Sequence, residues 1–261
     1  MSFLIESELK EGVLQISLNR PEIHNAFNEV LINEISMAFK KARDDNNVRL
    51  IVLTGEGKSF CSGADLNWMK SMKQYSREEN IIDSNKLFDM FETINNVNKP
   101  IIGKINGHAL GGGVGLVSVC DYVISTEKAK FGFTEVRLGL IPAVISKFCI
   151  SKIGESNARA WFLSGEVFSS DKAKSIGLVH EVISKNSIDV RTNEIIDSYL
   201  LAGPEASKEA KKLIREAISL GSENIKKYTS NAIAERRVSD EGQEGMEALL
   251  EKRRAKWVQN D

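Results

Sequence analysis

The chain has 261 residues, 42% of them hydrophobic and 27% charged, with four prolines and three cysteines. Its 35 Lys and Arg stand against 36 Asp and Glu, a net charge of -1. No global field draws such a chain to nucleic acid or anionic lipid, and its length suits one large domain, or one with a small appendage, around a sizeable core.

Met1-Ser2-Phe3-Leu4-Ile5-Glu6 enters strand-like sequence at once, without a basic leader and apolar segment. No stretch approaches the roughly 18 apolar residues of a membrane span. The expectation is a cytoplasmic protein with no membrane partner. Leu14, Ile16 and Leu18 then alternate at period two, predicting a strand over 12–18. Leu31, Ile35, Phe39 and Ala42 recur at helical spacing behind Asn25 or Asn28, either of which can cap a helix. Leu50-Ile51-Val52-Leu53 reads as a buried strand, a helix begins near Asp65, and another spans 77–97 before Lys99-Pro100 stops it. Strands follow at Ile101-Ile102-Gly103-Lys104-Ile105, Tyr122-Val123-Ile124 and Lys130-Phe131-Gly132-Phe133. From about residue 143 the pattern is helix after helix, punctuated by Gly154, Gly177, Gly203 and Gly221. Helices interleaved among early strands, with a helical end, predict an α/β fold divided into a core over 1–200 and a helical region over 201–261.

Several stretches invite chemistry. Gly55-Glu56-Gly57-Lys58-Ser59 has Val52 where a phosphate loop needs glycine, so it reads as a surface turn. The run Gly111-Gly112-Gly113-Val114-Gly115 misses the dinucleotide fingerprint. Three glycines opening a helix cost roughly 1 kcal/mol each against alanine, more than close packing of one or two would justify, so a functional approach of backbone is expected. The first amides of a helix lack internal acceptors and sit at its positive end, where they can hold a developing oxyanion. A second amide would come from Phe60-Cys61-Ser62-Gly63-Ala64-Asp65-Leu66, another strand-to-helix junction. Glu135, in Phe131-Gly132-Phe133-Thr134-Glu135-Val136, lies among apolar residues that would raise its pKa toward the range useful for proton transfer. Read alone, it is an ordinary strand-end glutamate. Asp65 is expected to cap the following helix, and His24, His108 and His180 are isolated polar residues with structural roles. Cys61, Cys120 and Cys149 fit neither a disulfide framework nor a zinc site and are expected to be reduced core thiols.

Taken in order, Leu18-Asn19-Arg20-Pro21 with Asn25-Ala26, the Phe60-to-Leu66 loop, Asn106-Gly107-His108-Ala109-Leu110-Gly111-Gly112-Gly113, and Phe131 through Leu140-Ile141-Pro142 resemble the signatures of the crotonase superfamily, the enoyl-CoA hydratases and isomerases. Residues 165–179 and the closing segment through Lys252-Arg253-Arg254 are also similar, so the resemblance spans nearly the whole chain. It implies a spiral of ββα units and a helical C-terminal region that builds homotrimers or hexamers. It implies amides of Ala64 and Gly112 as the oxyanion donors and Glu135 as the acid-base group. Glu22, Ile23, His24, Ser62, Asp65, Leu66, Leu110, Gly111, Gly115, Thr134 and Leu140 would line the path of an acyl-CoA thioester, with Lys252 near its phosphates. The family often has Lys where this chain has Glu22. Coenzyme A arrives as part of the substrate, and no separate cofactor or metal is implied.

One departure matters. Hydratases of the family usually carry a second glutamate two residues after the glycine run, where this chain has Gly115. Isomerases often keep only the acid matching Glu135. Yet Gly63-Ala64-Asp65-Leu66-Asn67-Trp68-Met69-Lys70 and Gly139-Leu140-Ile141-Pro142-Ala143-Val144-Ile145-Ser146 look like a bacterial methylglutaconyl-CoA hydratase-like subgroup assigned to leucine breakdown. A substrate with its own distal carboxylate would want Lys147, Arg137 or Lys70 nearby. The first expectation is therefore hydration of a branched 2-enoyl-CoA. The alternatives are double-bond isomerisation by one glutamate and a weakly catalytic acyl-CoA-binding protein.

Overall fold

The computed structural model describes residues 4–258. The first two strands, β1 (Ile5–Lys10) and β2 (Val13–Leu18), form an antiparallel hairpin. Helix α1 (Glu29–Asp44) is capped by Asn28, whose Oδ1 accepts from the Leu31 amide at 2.8 Å. The helix turns Leu31, Ile32, Ile35, Phe39 and Ala42 inward.

Three passes of strand, strand and helix follow. The first is β3 (Leu50–Gly55), β4 (Ser59–Cys61) and the helices α2 (Leu66–Met72) and α3 (Arg77–Asn95). A capping box of Ser76 and Glu79 starts α3. The second is β5 (Ile101–Ile105), β6 (His108–Leu110) and the short α4 (Gly112–Ser118). The third is β7 (Tyr122–Thr126), β8 (Lys130–Gly132), a 3-10 turn (Thr134–Leu138) and α5 (Ala143–Ser164), which breaks at Gly154. In each pass the chain leaves one sheet for another. The first strands join β1 and β2 in a six-stranded sheet that also takes β10 (Glu181–Ile183), in the order β1-β2-β3-β5-β7-β10. The second strands form a smaller sheet with β9 (Val167–Ser169), in the order β4-β6-β8-β9. This is the expected ββα spiral.

The central strands β3, β5 and β7 of the large sheet are buried on both faces. Ile51 and Leu53 enter the main core with Phe39 and Phe91, while Leu50 and Val52 face the other way toward Ile188 and Ile195 of α7 (Ile188–Leu200). A continuous apolar run is the pattern such a strand requires. Cys61, Cys120 and Cys149 are free and buried, and burial pushes each thiol pKa up to about 12.

The expectation of helix after helix, with no strand, from about residue 143 is corrected. β9 and β10, three residues each, flank α6 (Ser170–Ser175). Strands that short complete no period in the sequence and exist because a sheet edge is there to pair with. Beyond α7 come α8 (Pro204–Ser219), α9 (Ser222–Val238) and α10 (Asp240–Leu250). Lys211 of α8 anchors them, donating to Asp121 Oδ2 at 2.6 Å and to the Lys99 carbonyl at 3.0 Å. Arg49, just before β3, donates to the carbonyls of Leu200, Ala202 and Trp257 at 2.8–3.0 Å.

Candidate active site

β4, β6 and β8 run parallel and side by side, so the segments leaving their carboxyl ends emerge together. Crevices outside the carboxyl ends of parallel strands are where α/β sheets bind ligands. These three exits carry Ala64, Gly112 and Glu135 respectively.

The first exit is held by backbone pairing. The Phe27 amide donates to the Gly63 carbonyl at 2.6 Å and the Asp65 amide to the Phe27 carbonyl at 2.8 Å. Gly63 itself adopts φ 91°, a conformation that disfavours a side chain. Asp65 caps α2 by accepting from the Asn67 amide at 2.7 Å, and its other oxygen takes the Arg20 guanidinium at 2.9 Å. It is 8% exposed. Buried Asn25 completes the brace: its Oδ1 accepts from the Arg20 amide, while its Nδ2 donates to the carbonyls of Glu56 and Ser59. The Arg20 and Asn25 of the early motif are thus structural braces for the Ala64 turn. The segment Glu22, Ile23 and His24 lies against this loop, because the Ser62 amide donates to the His24 carbonyl at 3.0 Å. His24 Nδ1 meets Ser59 Oγ at 3.0 Å. Glu22, His24, Ala64 and Leu66 are all exposed, Leu66 at 74%.

The second exit lies in van der Waals contact with the first: a Cβ on Gly63 would stand 3.0 Å from the Leu110 carbonyl oxygen. The Gly111 amide donates to the Gly132 carbonyl, and φ 51°, ψ -125° turns the chain into α4. Among the described residues neither the Ala64 nor the Gly112 amide donates a hydrogen bond. Two free amides on touching turns, one opening a helix, form a place for a negatively charged oxygen.

The rest of α4 explains its glycines differently from the expectation. A Cβ at Gly113 would drive into the Cys61 carbonyl oxygen. One at Gly115 would stand 2.5 Å from Ile145 Cγ2 and 2.8 Å from the Phe91 ring. One at Gly112 would meet the Phe27 ring at 2.8 Å. Phe27 and Phe91 meet edge to face at 6.3 Å, and Phe91 packs on Phe148 at 5.8 Å. Close packing therefore accounts for Gly112, Gly113 and Gly115, the positive φ of the turn accounts for Gly111, and the free amide of Gly112 comes in addition. Gly115 is buried under Phe91 and Ile145, so the position of a second acid is an apolar wall.

The third exit is a 3-10 turn rather than the expected strand end, since the chain bends after Phe133. Glu135 Oε1 lies 3.4 Å from where a Cβ of Gly111 would be, directly against the α4 start. Oε2 is buried with no hydrogen-bond partner among the described residues. Burial raises the Glu135 pKa above its ordinary value, opposed only by its own backbone amide. A desolvated carboxylate beside two free amides is arranged to move a proton next to a stabilised oxyanion. Leu110 and Thr134 are half-buried beside it, whereas Leu140 is exposed.

The other charged candidates stand apart. Lys147 pairs with Glu92 at 3.2 Å and lies over the Phe88 and Phe148 rings. Arg137 donates to the Ser164 carbonyl, and Lys70 is exposed. At the chain end, Arg253 is engaged by Glu244, Glu247 and Glu251, leaving Lys252 exposed beside it. His108 and His180 accept backbone amides of Lys130 and Val123, the structural roles expected of them. Sequence reasoning missed the braces Arg20 and Asn25 as such, and it missed Phe27 and Phe91. Only the contact geometry shows them.

A model of the family described as enoyl-CoA hydratase/isomerase matches residues 8–260. The chain belongs to that family. This enoyl-CoA hydratase/isomerase family enzyme is 32% identical over 259 residues to the crotonyl-CoA hydratase of Syntrophomonas wolfei, covering 98% of both chains. It is 31% identical to the short-chain-enoyl-CoA hydratase of Clostridium acetobutylicum, covering 96% of each. Among solved structures, an enoyl-CoA hydratase/isomerase (crotonase) from Legionella pneumophila superposes with a TM-score of 0.92 at 40% identity, covering 97% of this chain and 98% of the other.

Proposed function

We propose that this family member hydrates a short 2-enoyl-CoA thioester, or dehydrates the corresponding 3-hydroxyacyl-CoA. The observation that carries the reading is the placement of Glu135 against the start of α4, with one oxygen buried and unpaired. The Ala64 and Gly112 amides polarise the thioester carbonyl. The Glu135 carboxylate takes a proton from water as its oxygen attacks C3, and the enolate oxygen rests on the two amides. Glu135 then returns that proton to C2. One acid thus completes a balanced addition, and losing one oxyanion donor would cost about 2.7–4 kcal/mol of barrier. Coenzyme A enters and leaves with the substrate. The activities named for the two relatives support this reading.

A second reading, isomerisation in which Glu135 carries a proton between C2 and C4 as the double bond moves between C2–C3 and C3–C4, is favoured by the Phe91–Ile145 wall over Gly115, which leaves Glu135 without a partner acid. For a 3-methylglutaconyl-CoA substrate, Lys147 is the best-placed cation, since its ring partner Phe148 packs on Phe91. The exposed apolar residues of α8–α10 support a trimer or a pair of trimers, and three unpaired thiols support a reducing, cytoplasmic setting. One assay separates the readings: crotonyl-CoA, 3-methylglutaconyl-CoA and a 3-enoyl-CoA are offered in parallel and the products resolved by mass and chromatography. Crotonyl-CoA hydration within tenfold of the preferred substrate upholds the proposal. Turnover of the 3-enoyl-CoA alone would replace it with isomerisation, and tight binding without turnover would leave a thioester-binding protein.

A further inference from the structure

The proposed reaction uses the carboxyl ends of the small sheet, but the large sheet has carboxyl ends too. β3, β5, β7 and β10 end at Gly55, Ile105, Thr126 and Ile183, and residues 56–58, 106–107, 127–129 and 184–187 lead away from them. A cavity of about 440 Å³ opens among these connections. That volume falls within the range of small-molecule sites, and the location is where parallel sheets bind ligands. It lies at the other end of the small sheet from the catalytic turns, because Ser59 and His108 begin β4 and β6 there while Cys61 and Leu110 lead to Ala64 and Gly112.

The lining is cationic. Lys58, Lys128 and Lys185 come from three different connections and face a single carboxylate, Glu127. Among the described residues none of these four has an ion-pair partner. His108 also lines the cavity. Its Nδ1 accepts the Lys130 amide at 3.0 Å, which leaves the proton on Nε2 as a donor. Asn106 lines the cavity as well, its Nδ2 donating to the Gly57 carbonyl at 3.2 Å, while its Oδ1 is closed off from the cavity and accepts nothing among the described residues.

We propose that this cavity is a second binding site, for a small organic phosphate. Phosphate oxygens meet the three ammonium groups and His108 Nε2. The site stands on geometry apart from the thioester reaction, so its test needs no turnover. Glycerol 3-phosphate and inorganic phosphate are titrated into the full chain by calorimetry at low and high salt, with and without saturating acetyl-CoA. Saturable binding is expected for both, weakened by salt and unchanged by acetyl-CoA. Lys128→Ser with Lys185→Ser should weaken glycerol 3-phosphate at least tenfold and leave the acetyl-CoA dissociation constant alone. Absence of saturable binding at low salt overturns the site. So does competition by acetyl-CoA, or weaker acetyl-CoA binding in the lysine variant, because the cavity would then belong to the thioester's own path.

Discussion

In α4 every residue from Gly113 to Ser118 is buried, whereas α8, more than twice as long, has no fully buried residue. The two helices are finished by different means. α4 has its surroundings completed within one chain: Cys61, Phe27, Phe91 and Ile145 press onto its glycine backbone. α8–α10 leave Ile214, Ile218, Val238, Leu249 and Leu250 from 63% to 83% exposed, an apolar surface that suits contact with further copies. The proposed chemistry sits in the self-contained region, and the open one carries the surface proposed for assembly.

Substitutions can break that contrast, and the largest effect is expected at Glu135. Glu135→Gln should lower turnover by about 10²–10⁴, the usual worth of a positioned acid-base group, with thioester binding retained by calorimetry. Near-normal turnover would remove Glu135 from the mechanism. Packing around α4 comes next. Gly115→Glu alone should be destabilised by about 1–3 kcal/mol through overpacking, read by urea denaturation. Combined with Ile145→Gly, which opens the wall, the same glutamate should regain much of that stability and raise crotonyl-CoA hydration. A single variant as stable as the parent would mean that the wall yields.

A smaller effect is expected at the open end. Leu249→Ser with Leu250→Ser should shift sedimentation toward monomers while leaving the unfolding of the isolated core little changed. Unaltered sedimentation would mean that these side chains do not hold the assembly. The smallest effect concerns pH. The folded-state pKa of Glu135 is raised by burial, so the fold favours its protonated form. That contribution is complete below the ordinary glutamate value and is lost as pH rises through the raised one. Glu135→Gln should gain stability over the parent across that window, and the parent's kcat/KM should fall on the acid side with an apparent pKa above the ordinary glutamate value. Parallel denaturation and rate profiles against pH would show it.

Much of this was legible in the sequence because the signals were local. Period-two alternation marks β2, helical spacing marks α1, and the order of the motifs points to Ala64, Gly112 and Glu135 as one site. Asp65 read as a cap and is one. The packing reasons for Gly112, Gly113 and Gly115 are not legible in the sequence, because they lie in Phe27, Cys61, Phe91 and Ile145, distant in the chain, where spacing says nothing. β9 and β10 escaped notice for a similar reason, being too short to carry a period and depending on β8 and β7 for their existence. Asn106 could not have been singled out at all, since an orphaned acceptor is visible only when its neighbours are in place.

Arg49 sets how the molecule comes apart. Its guanidinium reaches the end of α7, the start of the C-terminal helices and the last described turn, at Trp257, through three carbonyls. A segment pinned at both its beginning and its end by one side chain opens as a unit, not by fraying from its terminus. Amide hydrogens throughout α8–α10 would then share one opening energy, and Arg49→Ala would lower it for all of them together while the amides of β3 and β5 kept their protection.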